Sequence, residues 1–126
     1  MRKTFLIITA ILGVLTIILG AFGAHALKEV LSSDSLKSFE TAVRYQMYHV
    51  LVLLFVNTTQ ILTEKTKNNL SYTLLIGVLL FSGSIYAITI GGIPAKSIWF
   101  VTPLGGLFLI VSWLILLFGF IKSKTV

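Results

Sequence analysis

Cysteine is absent from this 126-residue chain, which excludes disulfides, thiolate metal centres and a cysteine nucleophile. Charge is scarce. Only 11% of residues are Asp, Glu, Lys or Arg, against the roughly 25% that wet the surface of a soluble domain. A protein that cannot cover itself with charge needs a solvent other than water, and lipid is the simple candidate. No nucleophile–base arrangement, phosphate-binding glycine loop, dinucleotide fingerprint or zinc-protease helix appears. The chain also offers an enzyme few polar side chains, so a non-enzymatic role is expected.

What remains is apolar: 56% of the residues are hydrophobic and the mean hydropathy is +1.00. The net charge of +6 does not point to nucleic acid. The basic residues form short clusters between apolar runs rather than a patch interleaved with aromatics, and anionic headgroups are their natural partner. Four apolar stretches run over 4–24, 41–62, 70–91 and 100–121. Each is close to the ~20 residues that a helix rising 1.5 Å per residue needs to cross a hydrocarbon core about 30 Å thick. Lipid offers backbone groups no partners, and the stretches lack the alternation of barrel strands, so helices are the assignment. The expected fold is all-α: a single domain over 1–126, built as an integral membrane four-helix bundle. The stretches 64–69 and 92–99 read as tight links.

Orientation follows from Lys and Arg. Arg2, Lys3, Lys65, Lys67, Lys122 and Lys124 fall on one side, and Lys28, Lys37, Arg44 and Lys96 on the other. The larger group places both termini in the cytoplasm of a bacterial cell, with the chain multi-pass in its inner membrane. Met1-Arg2-Lys3, an apolar run and Ala24-His25-Ala26 mimic a secretory signal, but the run is longer than the 7–15 residues of a signal core, and an uncleaved first helix is expected.

Small residues recur on stripes suited to close helix packing: Thr9, Gly13, Thr16, Gly20 and Ala24 in the first span; Thr73, Gly77, Ser84 and Gly91 in the third; Gly105, Ser112 and Gly119 in the fourth. Thr102-Pro103 reads as the cap and first residue of the last helix.

The polar chemistry is concentrated around the second span. Leu27, Val30 and Leu31 suggest a short interfacial helix between spans 1 and 2. Ser32 is placed to cap the next helix, with Leu31 and Leu36 as a hydrophobic staple. That helix carries Glu40, Arg44, Tyr45, Gln46, Tyr48 and His49, and ionisable groups at membrane depth are functional candidates by default. Glu40 and Arg44 lie about 40° apart at i,i+4 and are expected to pair. Tyr45 and His49 form a second i,i+4 pair on roughly the opposite side, with Gln46, Asn57 and Gln60 near His49 in phase. His25 completes the candidates at the interface. Arg44 as a snorkelling or structurally paired residue, and His49 as interhelical glue, are the plainer alternatives. Two histidines without cysteine or a nearby carboxylate pair are a weak metal signal. Neither a metal nor a cofactor is therefore assigned.

On GAFGAHALK (Gly20–Lys28), FETAVRYQMYHVLVLL (Phe39–Leu54), FSGSIYAIT (Phe81–Thr89) and TPLGGLFLIVSWLIL (Thr102–Leu116), the chain resembles the domain of unknown function 423 family of small bacterial membrane proteins, to which the transmembrane protein 256 group is related. The resemblance covers essentially the whole chain. It implies a four-span inner-membrane protein with its first helix retained, and no activity, substrate or catalytic residue. The leading expectation is a bundle acting through membrane-protein or lipid contacts, with the bilayer, other membrane proteins or a second copy of itself as partners. The alternative is a small transporter, or a proton, haem or quinone site, built on the His49 flank.

Overall fold

The computed structural model describes residues 2–125. It is all-α, with four long helices: α1 (Arg2–Ala24), α2 (Ser33–Thr58), α3 (Glu64–Thr89) and α4 (Val101–Lys122). The helices pack in chain order, α1 on α2, α2 on α3 and α3 on α4. Each runs antiparallel to the one before. The start of α1 meets the end of α2 and the start of α3 through Arg2, while Ser82 near the end of α3 reaches Ala42 near the start of α2.

α1, α3 and α4 are long and apolar enough to cross a membrane. α2 is not among them, because Arg44, Tyr45, Gln46, Tyr48 and His49 sit at its middle. The burial pattern is partly inside-out. Gln46, His49 and Asn57 are each no more than 5% exposed, whereas Ile17, Leu79 and Ile121 are about two-thirds exposed or more. Inside, Leu53, Val56, Leu70, Leu74, Leu109 and Leu116 form an apolar centre.

Local chemistry explains the helix ends, and it corrects three expectations. Ser32 caps α2, its hydroxyl accepting from the Ser35 amide at 3.2 Å. The short helix expected before it is instead a run of turns over 25–30. The His25 amide is shared between the Ala21 and Phe22 carbonyls, the Leu27 amide closes back on Phe22, and Val30 and Leu31 both return to Leu27. Ser32 must then turn extended to cap α2, so no further helical turn fits. The polar stretch 64–69 is no link but the opening of α3: Thr63 caps it, and Glu64 favours the positive N-terminal end. In α4 the helix starts at Val101, before Thr102. Pro103 is tolerated because first-turn amides have no partner within the helix. The link from α3 to α4 turns at Gly92, whose φ of 72° is the left-handed conformation glycine accepts without strain. It lets the Ile93 amide reach the Ala87 carbonyl at 3.1 Å.

Candidate functional site

Gln46 and His49 lie one turn apart on the buried face of α2, and each ties that helix to others. The Gln46 amide nitrogen donates to the Leu12 carbonyl of α1 at 3.1 Å, and its oxygen accepts the Tyr86 hydroxyl of α3 at 2.7 Å. One side chain therefore joins three helices. His49 sits between its own helix and α4. Nδ1 lies 2.7 Å from the Tyr45 carbonyl, and the Trp113 indole N–H donates to Nε2 at 3.2 Å. A carbonyl can only accept and an indole can only donate, so the arrangement selects the neutral ring with its proton on Nδ1. Both ring nitrogens are engaged. A metal, haem iron or relayed proton would have to displace one of these bonds.

Tyr45, one turn before His49 and with its ring centroid 6.3 Å from the imidazole, is half-exposed, stacked on Phe81 with ring centroids 5.0 Å apart, and leans on Tyr48. Gln60 is exposed beyond the end of α2, so it does not join the His49 flank. His25 lies exposed past the end of α1. Glu40 and Arg44 are both exposed, and the pair expected between them is not formed. The Arg44 guanidinium donates to the Thr41 hydroxyl at 3.3 Å instead, a contact its short i,i−3 reach makes easy. Among the described residues the ion pairs involve Glu64, with Arg2 and with Lys67.

Those pairs belong to a cluster that motif reading did not single out. Arg2 at the start of α1 donates to Asn57 of α2 and to Glu64 of α3, and stands 3.4 Å from Asn68. Asn57 also donates to the Leu53 carbonyl and the Ser71 hydroxyl, at 2.9 and 3.0 Å. Lys67, nearly buried, reaches Glu64 at 3.2 Å. The Arg2 and Lys67 cations hold the Glu64 carboxyl below its ordinary range, Arg2 most of all. The only sequence signal for this cluster was that Asn57 stood polar inside an apolar run.

The α3–α4 seam is the tightest. A Cβ on Gly105 would come 2.3 Å from the Phe81 backbone nitrogen, so the two backbones touch. Gly77 packs under Leu109, and hydroxyls pair across the seam: Ser112 with Thr73 at 2.8 Å, and Ser84 with Thr102. The stripes seen in sequence at Gly77, Gly105, Ser112 and Gly119 thus face partners. In the other seam Thr9, Thr16 and Gly23 are buried while Ala24 is exposed; Gly91 lies beyond α3, against its own Ala87. Every buried side-chain polar atom of the described residues has a hydrogen-bond partner, and among those residues no three His, Asp or Glu gather as metal ligands.

Comparison with known proteins agrees on one group. A family model described as protein of unknown function (DUF423) matches residues 19–106. A UPF0382 membrane protein of Haemophilus influenzae is 34% identical across 99% of both chains. One from Staphylococcus saprophyticus is 38% identical over 95% of this chain and 98% of its own. The UPF0382 inner membrane protein YgdD of Escherichia coli is 32% identical over 97% and 92%. No solved structure matches the chain.

Proposed function

The chain belongs to the DUF423 family, and on that premise we propose that it is a single-domain, four-span protein of the bacterial inner membrane, a non-enzymatic bundle acting through contacts with lipids or other membrane proteins. The observation that carries this reading is the use made of its interior polar groups. Gln46, His49, Asn57, Ser82 and Ser112 all bond to other helices. That is how polar side chains hold a bundle together where lipid removes the hydrophobic drive between helices. A conduit or cofactor pocket would instead keep some of them free, and His49 has neither nitrogen to offer. The transporter or cofactor alternative is therefore the weaker one.

The fourth span is argued from packing. α2 lies between α1 and α3 with its ends level with theirs, so if those two cross the bilayer it crosses as well. Gln46, His49 and Asn57 turn inward, and beyond Tyr48 the outward face carries Leu51, Leu54 and Phe55. Arg2, Lys3, Lys65, Lys67, Lys122 and Lys124 gather at one end of the bundle, which supports cytoplasmic termini. The turns over 25–30, with Leu27 and Val30, then lie at the opposite interface. The test is water access: Leu51→Cys in intact cells should resist a membrane-impermeant maleimide until detergent is added, while Gln60→Cys should label only in inside-out vesicles. Labelling of Leu51→Cys without detergent would remove α2 from the bilayer. Labelling of Gln60→Cys in intact cells would reverse the orientation.

A further inference from the structure

The outer face of the α1–α2 seam carries two adjoining hollows, of about 210 and 610 Å³, that share Gly20, Val43 and Arg44. The first reaches up to Glu40, and the second runs down past Met47 to Tyr48. The groove is open because Gly20 has no side chain and faces only the tip of Val43; a Cβ there would stand 3.5 Å from it. The larger hollow lies within the ~300–1,000 Å³ usual for ligand sites.

Neither charge in the groove has an ion-pair partner among the described residues. Arg44 has five N–H donors, of which one meets Thr41. The Glu40 carboxylate has no ion-pair partner among the described residues, although Arg44 is one turn away. Gly20 of α1, facing Val43, lies one turn inside the end of that helix at Ala24. Arg44 is therefore about 6 Å below the helix end, and Glu40 about level with it.

We infer that this groove binds one zwitterionic phospholipid of the phosphatidylethanolamine class, with its ammonium on Glu40, its phosphate on Arg44 and an acyl chain in the lower hollow. The order of groups carries the inference. From water inward the lipid presents ammonium, phosphate, glycerol esters and hydrocarbon. The groove presents carboxylate, guanidinium and then the lower hollow, walled by Ile17, Met47 and the Tyr48 ring. Guanidinium binds phosphate through two parallel N–H bonds, and Arg44 has the donors to do so. A purely anionic headgroup would meet Glu40 as a like charge, and a free phosphate would leave the apolar hollow without an occupant. The inference rests on the four-span reading, because it needs Glu40 at headgroup depth.

Native mass spectrometry of the full chain in mild detergent tests it, with titrations of dioleoylphosphatidylethanolamine, dioleoylphosphatidylglycerol, soluble glycerophosphoethanolamine and inorganic phosphate. The parent should take up one phosphatidylethanolamine in preference to phosphatidylglycerol, and neither soluble headgroup nor phosphate. Arg44→Gln should weaken the lipid about tenfold, the size of one charge-assisted hydrogen bond. Glu40→Gln should erase the preference by admitting phosphatidylglycerol, and Gly20→Leu should block both lipids. Should Arg44→Gln fail to fold, the other two variants carry the test, since Glu40 is exposed and a Cβ at Gly20 meets only the tip of Val43 at 3.5 Å. Equal uptake of the two lipids by the parent, or unchanged preference in Glu40→Gln, overturns the inference; so does binding of free phosphate or soluble headgroup at lipid strength. If that happens while Leu51→Cys stays protected, the four-span reading stands and only the lipid site falls. If Leu51→Cys labels, both fall.

Discussion

The two outer seams of the bundle are built from the same small-residue grammar and come out differently. Between α3 and α4 the backbones touch at Gly105, and hydroxyls pair at Ser84–Thr102 and Thr73–Ser112. Between α1 and α2, Gly23 packs against the Phe39 ring near the end of α1, where a Cβ would come 2.9 Å from it, but the two glycines before it leave space. A Cβ on Gly13 or Gly20 would meet only the methyl of Val50 or Val43, at 3.7 and 3.5 Å, and a groove runs along the outside. Spacing along a helix gives the phase of a residue but not how far the next helix stands off, and that separation decides whether a glycine is structural. One seam is a joint. The other leaves a groove open beside Glu40 and Arg44, which form no ion pair with each other.

The largest effect should come from closing the joint. Gly105→Ala pushes a methyl into the α3 backbone at Phe81, where no side chain can swing away. Overpacking typically costs 1–3 kcal/mol, and this position should sit at or above about 3 kcal/mol in a denaturant titration followed by tryptophan fluorescence. Gly77→Ala should cost less, since the nearest atom there is the flexible end of Leu109. Gly13→Ala should be neutral or slightly stabilising, because alanine is favoured over glycine within a helix by about 0.5–1 kcal/mol. If Gly13→Ala proves as costly as Gly105→Ala, the contrast between the seams is gone.

A middle-sized effect is expected at His49. Replacing it by alanine removes the bond to the Tyr45 carbonyl and the acceptor of the Trp113 indole. Interhelical hydrogen bonds in membranes average about 0.6 kcal/mol and reach about 1.7. With the cavity left by the ring, the cost should be about 1–2 kcal/mol. Trp113→Phe, which keeps most of the ring, should show only the hydrogen-bond part, about 0.6 kcal/mol. A His49→Ala protein as stable as the parent would free that histidine from its role as glue and make it an active-site candidate again.

The uneven legibility of the molecule follows from range. Hydropathy marks α1, α3 and α4 because a lipid-crossing helix is apolar over its whole length, and the Ser32 cap is legible because a cap acts within three residues. α2 was legible as a helix, but its start lies eight residues before its apolar run, since the first two turns are polar and held by the cap. Gln46 and His49 were correctly phased to one face, yet their partners Leu12, Tyr86 and Trp113 come from helices whose rotation no local pattern encodes. The Arg2 cluster was hidden for the same reason, with bonds that span more than fifty residues. Glu40–Arg44 shows the converse. Correct phase at i,i+4 permits a pair but does not make one, because exposed ions gain little from meeting, typically 0–1 kcal/mol once the cost of fixing two side chains is counted.

That converse supplies the smallest expected effect and the sharpest contrast between the two ends of the bundle. In a double-mutant cycle, Glu40→Gln and Arg44→Gln should add, with a coupling to stability of about zero, within the ~0.3–0.5 kcal/mol scatter of independent sites. The same cycle on Arg2→Gln and Glu64→Gln should couple, since Arg2 bonds directly to Glu64 and ties α1 to α3. Acid should then separate the ends. Glu64 is held below the ordinary carboxyl value of 4.5, chiefly by Arg2 and then by Lys67. A carboxyl with a depressed folded-state pKa contributes stability that is fully present above its unfolded value and is lost as the pH falls through the folded one. The Arg2–Glu64 coupling should therefore be constant at neutral pH and fade only on acidification below about 4.5, in melts of the detergent-solubilised protein. Glu40 and Arg44 should show no coupling at any pH in that range. A coupling between them as large as that of Arg2 with Glu64 would mean that the two charges satisfy each other, and the groove would then have nothing left to offer a headgroup.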